Sequence, residues 1–154
     1  MNETEILDID ESLISFWIVG VAAPGGSKKF LGLNRRTGRA ILADDAGARN
    51  KNWRAVVGWY ATHYYGQRKP LTGPLRVSFD FVMPRLKSHF NKKGELKEKA
   101  PIFHTVKPDT TKLIRSTEDA LKGILWVDDS QICRQSGSKL YGDRPGCQIT
   151  IKPL

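Results

Sequence analysis

The sequence predicts an α+β fold, a small mixed sheet packed with two main helices, and three observations carry that expectation. Two segments repeat apolar residues at helical spacing. Several short runs are continuously apolar or alternate with period two. The two kinds of segment follow one another without βαβ regularity. At 154 residues, the chain has the length of one domain and can bury a core without disulfide staples.

The elements follow in order. Residues 1–12 carry Glu3, Asp8, Asp10 and Glu11 and are expected to form a flexible acidic N-terminus. Phe16 to Ala22 (FWIVGVA) reads as a buried strand. Pro24, Gly25 and Gly26 break it and lead into the basic segment SKKFLGLNRRTGRA, whose loop-forming residues suggest a flexible groove lining. Asp44 and Asp45 are N-cap candidates for a helix over 46–65. Its inward face is Trp53, Val56, Val57, Tyr60, Ala61 and Tyr64, with Gly66 at the C-terminal cap. LRVSFDFVM (75–83) alternates as a half-buried strand does and closes at Pro84.

Residues 85–106, which include RLKSHFNKKGELKEK, show no period and are expected to form a mobile basic loop. A second helix runs from about Thr111 to Lys122, turns Leu113, Ile114, Thr117, Ala120 and Leu121 inward and stops at Gly123. Ile124 to Val127 is a short apolar run that ends in Asp128-Asp129. Residues 131–135 and 147–151 (CQITI) read as strands separated by a turn region, GSKLYGDRPG.

Charge narrows the partners. A net charge of +9 and a pI near 9.7 attract polyanions, with nucleic acid first among them and anionic membrane surfaces next. A solubility surplus is the plain alternative. The basic residues crowd into Lys28 to Arg39 and Arg85 to Lys107, which favours the groove reading. Cys133 and Cys147 form no CxxC pair and no signal peptide precedes them, so a reduced, cytoplasmic chain is expected. The longest apolar stretch, Phe16 to Pro24, is too short to span a bilayer.

No GxSxG, phosphate-binding glycine loop, HExxH or paired zinc-ligand spacing occurs. His63, His89 and His104 are scattered. Carboxylates remain. Mg²⁺ takes oxygen ligands, often one or two carboxylates plus water and substrate phosphate oxygens, and a phosphodiester nuclease needs such an ion. Two sites offer them: Asp109 in KPDTTKL, just before the second helix, and Asp128-Asp129 in WVDDSQ beyond it. Both also have ordinary structural readings, Asp109 as an N-cap and Asp-Asp-Ser as turn chemistry.

The stretch KPDTTKLIRSTEDALKGILWVDDSQI, residues 107–132, resembles the signature of the RusA family of Holliday-junction endodeoxyribonucleases. That signature has a Lys-Pro-Asp lead, a second Asp two residues on, Leu, a basic residue, Asp-Ala-Leu, an aromatic, Asp-Asp and Gln-Val/Ile. Weaker similarity extends to the first strand and basic segment, the 46–65 helix and the strand ending Met83-Pro84. MPRLKSHF and HTVKPD resemble phage members in particular.

The resemblance implies a small RusA-like homodimer that cuts four-way junctions with Mg²⁺, Mn²⁺ being an alternative, in the nucleoid or a phage-infected host cytoplasm. It places metal-binding carboxylates at Asp109, Asp128 and Asp129, with catalysis at Asp109, Asp129 and Arg115. Lysine is usual at position 115; arginine stabilises phosphate charge but does not donate a proton near neutral pH. The family's second motif aspartate falls at Thr111, a departure that Asp80 could offset as an auxiliary acid. Asp119 belongs to the motif as a structural residue. Lys28, Lys29, Arg35, Arg36, Arg85, Lys87, Lys92, Lys93, Lys107 and Lys112 are the expected DNA contacts, positioning the backbone without reading bases. Two alternatives stand beside this reading: a junction-binding protein that lost catalysis at Thr111, and a basic nucleic-acid binder in which the motif is coincidental.

Overall fold

The computed structural model describes residues 12–26, 28–44 and 47–154, with the side chains at 28–31 and 42–44 outside the description. The elements are β1 (Ile14–Val19), β2 (Lys28–Leu33), β3 (Ala40–Asp44), α1 (Gly47–Tyr65), β4 (Leu75–Pro84), α2 (Thr110–Leu121), β5 (Ile132–Gly142) and β6 (Gly146–Pro153). Four strands form one sheet in the order β1-β6-β4-β5. Neighbours are antiparallel except β4 and β5, which are parallel. A parallel pair needs a crossover, and α2 lies within it. The α+β expectation holds, with one βαβ unit inside it.

Alternation along β4 sends Leu75, Val77, Phe79, Phe81 and Met83 into the core and Arg76, Ser78, Asp80 and Val82 to the other face. Cys147, Ile149 and Ile151 of β6 join the same core, as do Ile14, Phe16 and Ile18 of β1. The opposite face is polar: Ser138 Oγ donates to Asp80 Oδ1 at 2.6 Å, and Gln148 Nε2 to Ser15 Oγ at 2.7 Å.

Both helices lie where the spacing predicts. α2 buries Leu113, Ser116, Thr117 and Leu121, and Gly123 follows it at φ 82°. α1 buries Asn50, Trp53, Val57, Ala61 and Tyr65. Tyr65, not Tyr64, is therefore the inward tyrosine. Tyr64 is exposed and stacks on Phe16 at 4.9 Å, whereas the Tyr65 hydroxyl donates to Lys69 O and its ring carries the Arg68 guanidinium. Gly66 caps α1 at φ 66°, as expected. At the other end, Asp45 and the Asp44 side chain lie outside the described residues.

Three boundaries differ from the sequence expectation. The first strand spans Ile14–Val19; beyond Gly20 the chain leaves the sheet, and Ala22 and Ala23 are buried in a loop instead. The basic segment is a hairpin, β2–β3, rather than a loop. Its turn is closed by Asn34, whose Oδ1 accepts from the amides of Arg36 and Thr37, the local bonding that makes asparagine a turn residue. Finally, the supposed turn GSKLYG belongs to β5, which pairs with β4 through Gly142. Gly137 is there for packing. A Cβ at that position would stand 2.7 Å from Ile114 Cδ1, so the missing side chain lets α2 lie close on β5.

Residues 85–106 form no long element, as their aperiodic composition implies, but the segment is bonded to itself and to β5. A 3-10 turn spans Lys87–His89. Lys97 Nζ donates to Ser88 O and Arg85 to Pro101 O, while Tyr141 N reaches Ile102 O at 2.8 Å. The His89 and His104 rings each lie 4.7 Å from that of Tyr141. Among the described residues, no helix is long and apolar enough to cross a membrane. The acidic residues 1–11 lie outside the description.

Candidate functional site

The motif segment wraps α2 from end to end, and buried polar groups fix it there. Asn50 of α1 donates from Nδ2 to Ser116 Oγ of α2 and to Pro24 O. Trp53 Nε1 donates to Thr117 Oγ1, which itself donates to Leu113 O. Gly25 N donates to Lys112 O at 3.0 Å. Leaving one of these buried partners unsatisfied costs about 1–3 kcal/mol, so the network holds the 20–25 loop and both helices in one register.

At the start of α2, Asp109 occupies the N-cap position with extended backbone, yet its side chain makes no capping hydrogen bond. The carboxylate is instead solvent-facing, with Lys112 Nζ 3.9 Å from Oδ2. Lys107–Pro108, just before it, is a cis peptide. From β5, Lys139 Nζ donates to Val106 O at 2.8 Å and to Pro108 O at 2.6 Å, so an ammonium supports this turn from beneath. Burial lowers the Lys139 pKa, with Asp109 pulling the other way. Asp109 lines a recess of about 320 Å³ with Pro24, Arg49, Lys107, Pro108 and Lys112, in which three cations surround one acid.

Past α2, the second carboxylate pair divides its roles. Asp128 caps a 3-10 turn over Asp129–Gln131 by accepting from Ser130 N, and Lys122 Nζ lies 2.8 Å from its Oδ2. Lys122 and the Ser130 amide hold the Asp128 carboxyl well below the usual carboxylate range. Asp129 Oδ1 accepts from the fully buried Trp126 indole at 2.8 Å. Gln131 fastens the turn to the strand-leading loop, donating to Leu71 O and Gly73 O while its Oε1 accepts from the amides of Val127 and Asp128.

Glu118 was missed by sequence reasoning. It faces β5, where Gln135 Nε2 donates to its Oε1. Burial, and then the neighbouring Asp129, push its pKa up to about 7. Thr111, Arg115, Glu118 and Lys122 fall on one stripe of α2. Asp109 and Glu118 are nine residues apart, about 13 Å along the helix axis. The structure therefore groups Asp129 with Glu118, places Asp109 at the far end with Lys112 and Arg49, and commits Asp128 to Lys122. Among the described residues, no three His, Cys, Asp or Glu gather around one point.

The other expected residues are spread more widely. Asp80 is misplaced for a role beside Thr111. It pairs with Ser138 on the polar sheet face, whereas the alternate residues Gln135 and Gly137 face α2, so the sheet separates it from the helix. Arg35 and Arg36 are exposed at the hairpin tip, and the Lys28 and Lys29 side chains lie outside the description. Lys87, Lys92, Lys93, Lys107 and Lys112 are exposed, while Arg85 is partly buried and bonded to Pro101 O. Arg49 and Lys139 joined the site without a sequence signal, the first from a helix start and the second from a segment read as a turn. Both cysteines are free, Cys147 in the core and Cys133 exposed.

The sequence model described as "Endodeoxyribonuclease RusA" matches residues 32–152. The Bacillus subtilis (strain 168) protein named "Uncharacterized protein YqaN" is 30% identical over 124 residues, covering 77% of this chain and 83% of that one.

Proposed function

The chain belongs to the RusA endodeoxyribonuclease family, and from that premise we propose that it cuts four-way or otherwise branched DNA by Mg²⁺-dependent phosphodiester hydrolysis along α2. The observation that supports this best is Asp109, an N-cap aspartate whose side chain accepts no hydrogen bond from its helix and stands among Arg49, Lys107 and Lys112. A purely structural cap would be spent on the backbone amides. Cations that crowd an exposed carboxylate suit a phosphate drawn up beside it.

The donor chemistry fits a hard cation held sparsely. Asp109 and Asp129 are the candidate ligands; they stand at opposite ends of α2, too far apart to share one ion, so each would hold its own, with substrate phosphate and water completing the shell. A bound Mg²⁺ offsets charge on the transition state and lowers the pKa of the attacking water. Arg115 stabilises developing phosphate charge. Lys107 and Lys112 draw in the strand, while Arg35, Arg36, Lys87, Lys92 and Lys93 track the arms. Trp126 fixes Asp129 through its indole N–H, and Lys139 fixes the turn that carries Asp109. A C2 homodimer would present two such sites to the two equivalent scissile phosphates of a junction. The setting would be the cytoplasm, on the nucleoid or in a phage-infected host.

A second reading, a junction-binding protein without catalysis, rests on Thr111, which leaves a neutral side chain where the family signature has an aspartate. The two separate on a labelled mobile four-way junction incubated with Mg²⁺, with Mn²⁺ and with EDTA. The nuclease reading expects symmetric cuts with either metal, none in EDTA and none by Asp129→Asn, which should still bind the junction. Tight binding without cuts in either metal favours the second reading. Equal affinity for junction and linear duplex would refute both.

A further inference from the structure

We propose that the groove beside Asp109 is a pocket for one unstacked nucleotide at the DNA branch, its base on an apolar floor and its flanking phosphates on a cationic rim. This rests on the branched-DNA reading and adds to it a way of recognising the branch. Two recesses adjoin and share Pro24, Arg49 and Pro108. The larger, about 520 Å³, is walled by Val21, Trp53, Val56 and Met83. The smaller opens on Lys107, Lys112 and Asp109. An apolar interior with a few charged groups at one end is the usual make-up of a small-ligand site, and the volume falls in the ordinary range for one.

Charge complementarity selects the occupant. Three cations against one carboxylate favour an anion, and the apolar recess behind them favours an anion with a flat, weakly polar body. A nucleotide has both parts. A base stacked within a duplex cannot enter, but one that has left the stack can, and unstacking costs least where pairing is already disturbed. The floor does not have to form on binding. Its loop is tied at three points, by Gly20 N to Pro145 O, Asn50 Nδ2 to Pro24 O and Gly25 N to Lys112 O.

The test places 2-aminopurine at each branch nucleotide of a four-way junction and follows its fluorescence on adding the full chain in EDTA. At one position the signal should rise by about fivefold as the base leaves the stack. Val56→Phe and Val21→Phe fill the groove without changing charge; Val21 is 57% exposed, so the second carries little folding risk. Both should lose most of the rise while junction affinity stays within about threefold, since the phosphate contacts that dominate affinity are kept. If the wild-type chain cuts junctions but no branch position brightens, the pocket is refuted and the nuclease reading stands. A full rise in the folded variants would place the extruded base elsewhere and equally refute it. No preference for junction over duplex would remove both readings.

Discussion

Lys139→Met isolates what the turn beneath Asp109 contributes. The ammonium makes two hydrogen bonds, to Val106 O and Pro108 O, and methionine keeps much of the apolar stem. A hydrogen bond to a charged group contributes about 1.5–3 kcal/mol. The two share one ammonium, and the freed carbonyls can take water, so the loss should be about 2–3 kcal/mol rather than the doubled value. For a chain of this length, that lowers the melting temperature by about 5–10 °C. Asp109 follows Pro108 directly, so slack in the turn moves the carboxylate. Displacement of a positioned group by about 1 Å can cost about 100-fold in rate. Single-turnover junction cleavage should therefore slow by about 10–100-fold with little change in junction affinity, because Lys139 points under the turn and not into the recess. Lys139→Arg keeps the charge and should recover part of the rate. A methionine variant that melts within about 1 °C of wild type and cuts at full speed would show that Lys139 does not position the site.

Thr111→Asp adds an acid to the first turn of α2, where the helix dipole welcomes it; it should lower the Mg²⁺ concentration for half-maximal cleavage, read by titrating both proteins side by side. An identical metal dependence would remove Thr111 from the site. Junction affinity should fall steeply with salt, and Arg35→Gln with Arg36→Gln should shallow the log–log slope by about one unit per lost phosphate contact; an unchanged slope would take the hairpin tip out of the DNA path. His104 is buried, and its pKa is lowered by burial and by Lys139. Below its ordinary value of 6.5, the unfolded chain binds a proton that the folded chain resists, so stability should fall as the pH drops from there toward the lowered value. His104→Phe should flatten that stretch of the melting-temperature profile; the same slope in the variant would assign it to other groups.

The elements with strong periods were legible. LRVSFDFVM alternates for core reasons alone, and the α2 face is set by Leu113, Thr117 and Leu121, so the period recorded the burial directly. What failed did so where tertiary contacts overrode local chemistry. GSKLYG has turn residues but extends along β4, and its glycine answers to Ile114 across the sheet–helix gap. Tyr64 and Tyr65 differ by one step of helical rotation, and it is Tyr65 that packs into the core while its hydroxyl and ring also meet Lys69 and Arg68 beyond the helix end. In the site, Asp109 and Asp129 could be read from the motif. Arg49 and Lys139 could not, because each reaches the motif from another element, and Glu118, though within the motif, owes its role to a contact with Gln135 of β5 that no local pattern encodes.

Thr111 is where the chain departs most from its family signature, and Glu118 does not restore what is missing there. Both lie on one stripe of α2, seven residues apart, which is about 10 Å along the axis. A carboxylate two turns away cannot take the place of a ligand in the first turn. Glu118 also differs in kind, since burial and the nearby Asp129 push it up to about 7 and leave it only partly ionised near neutral pH. The third turn of α2 is therefore a place where two acids already compete, while around the first stand one exposed acid, three cations and a neutral threonine. Adding charge at position 111 should strengthen metal binding at the Asp109 end without disturbing Asp129. If Thr111→Asp instead changes the Mg²⁺ requirement only when Glu118 is neutralised as well, the two ends of the helix are coupled and the division drawn here fails.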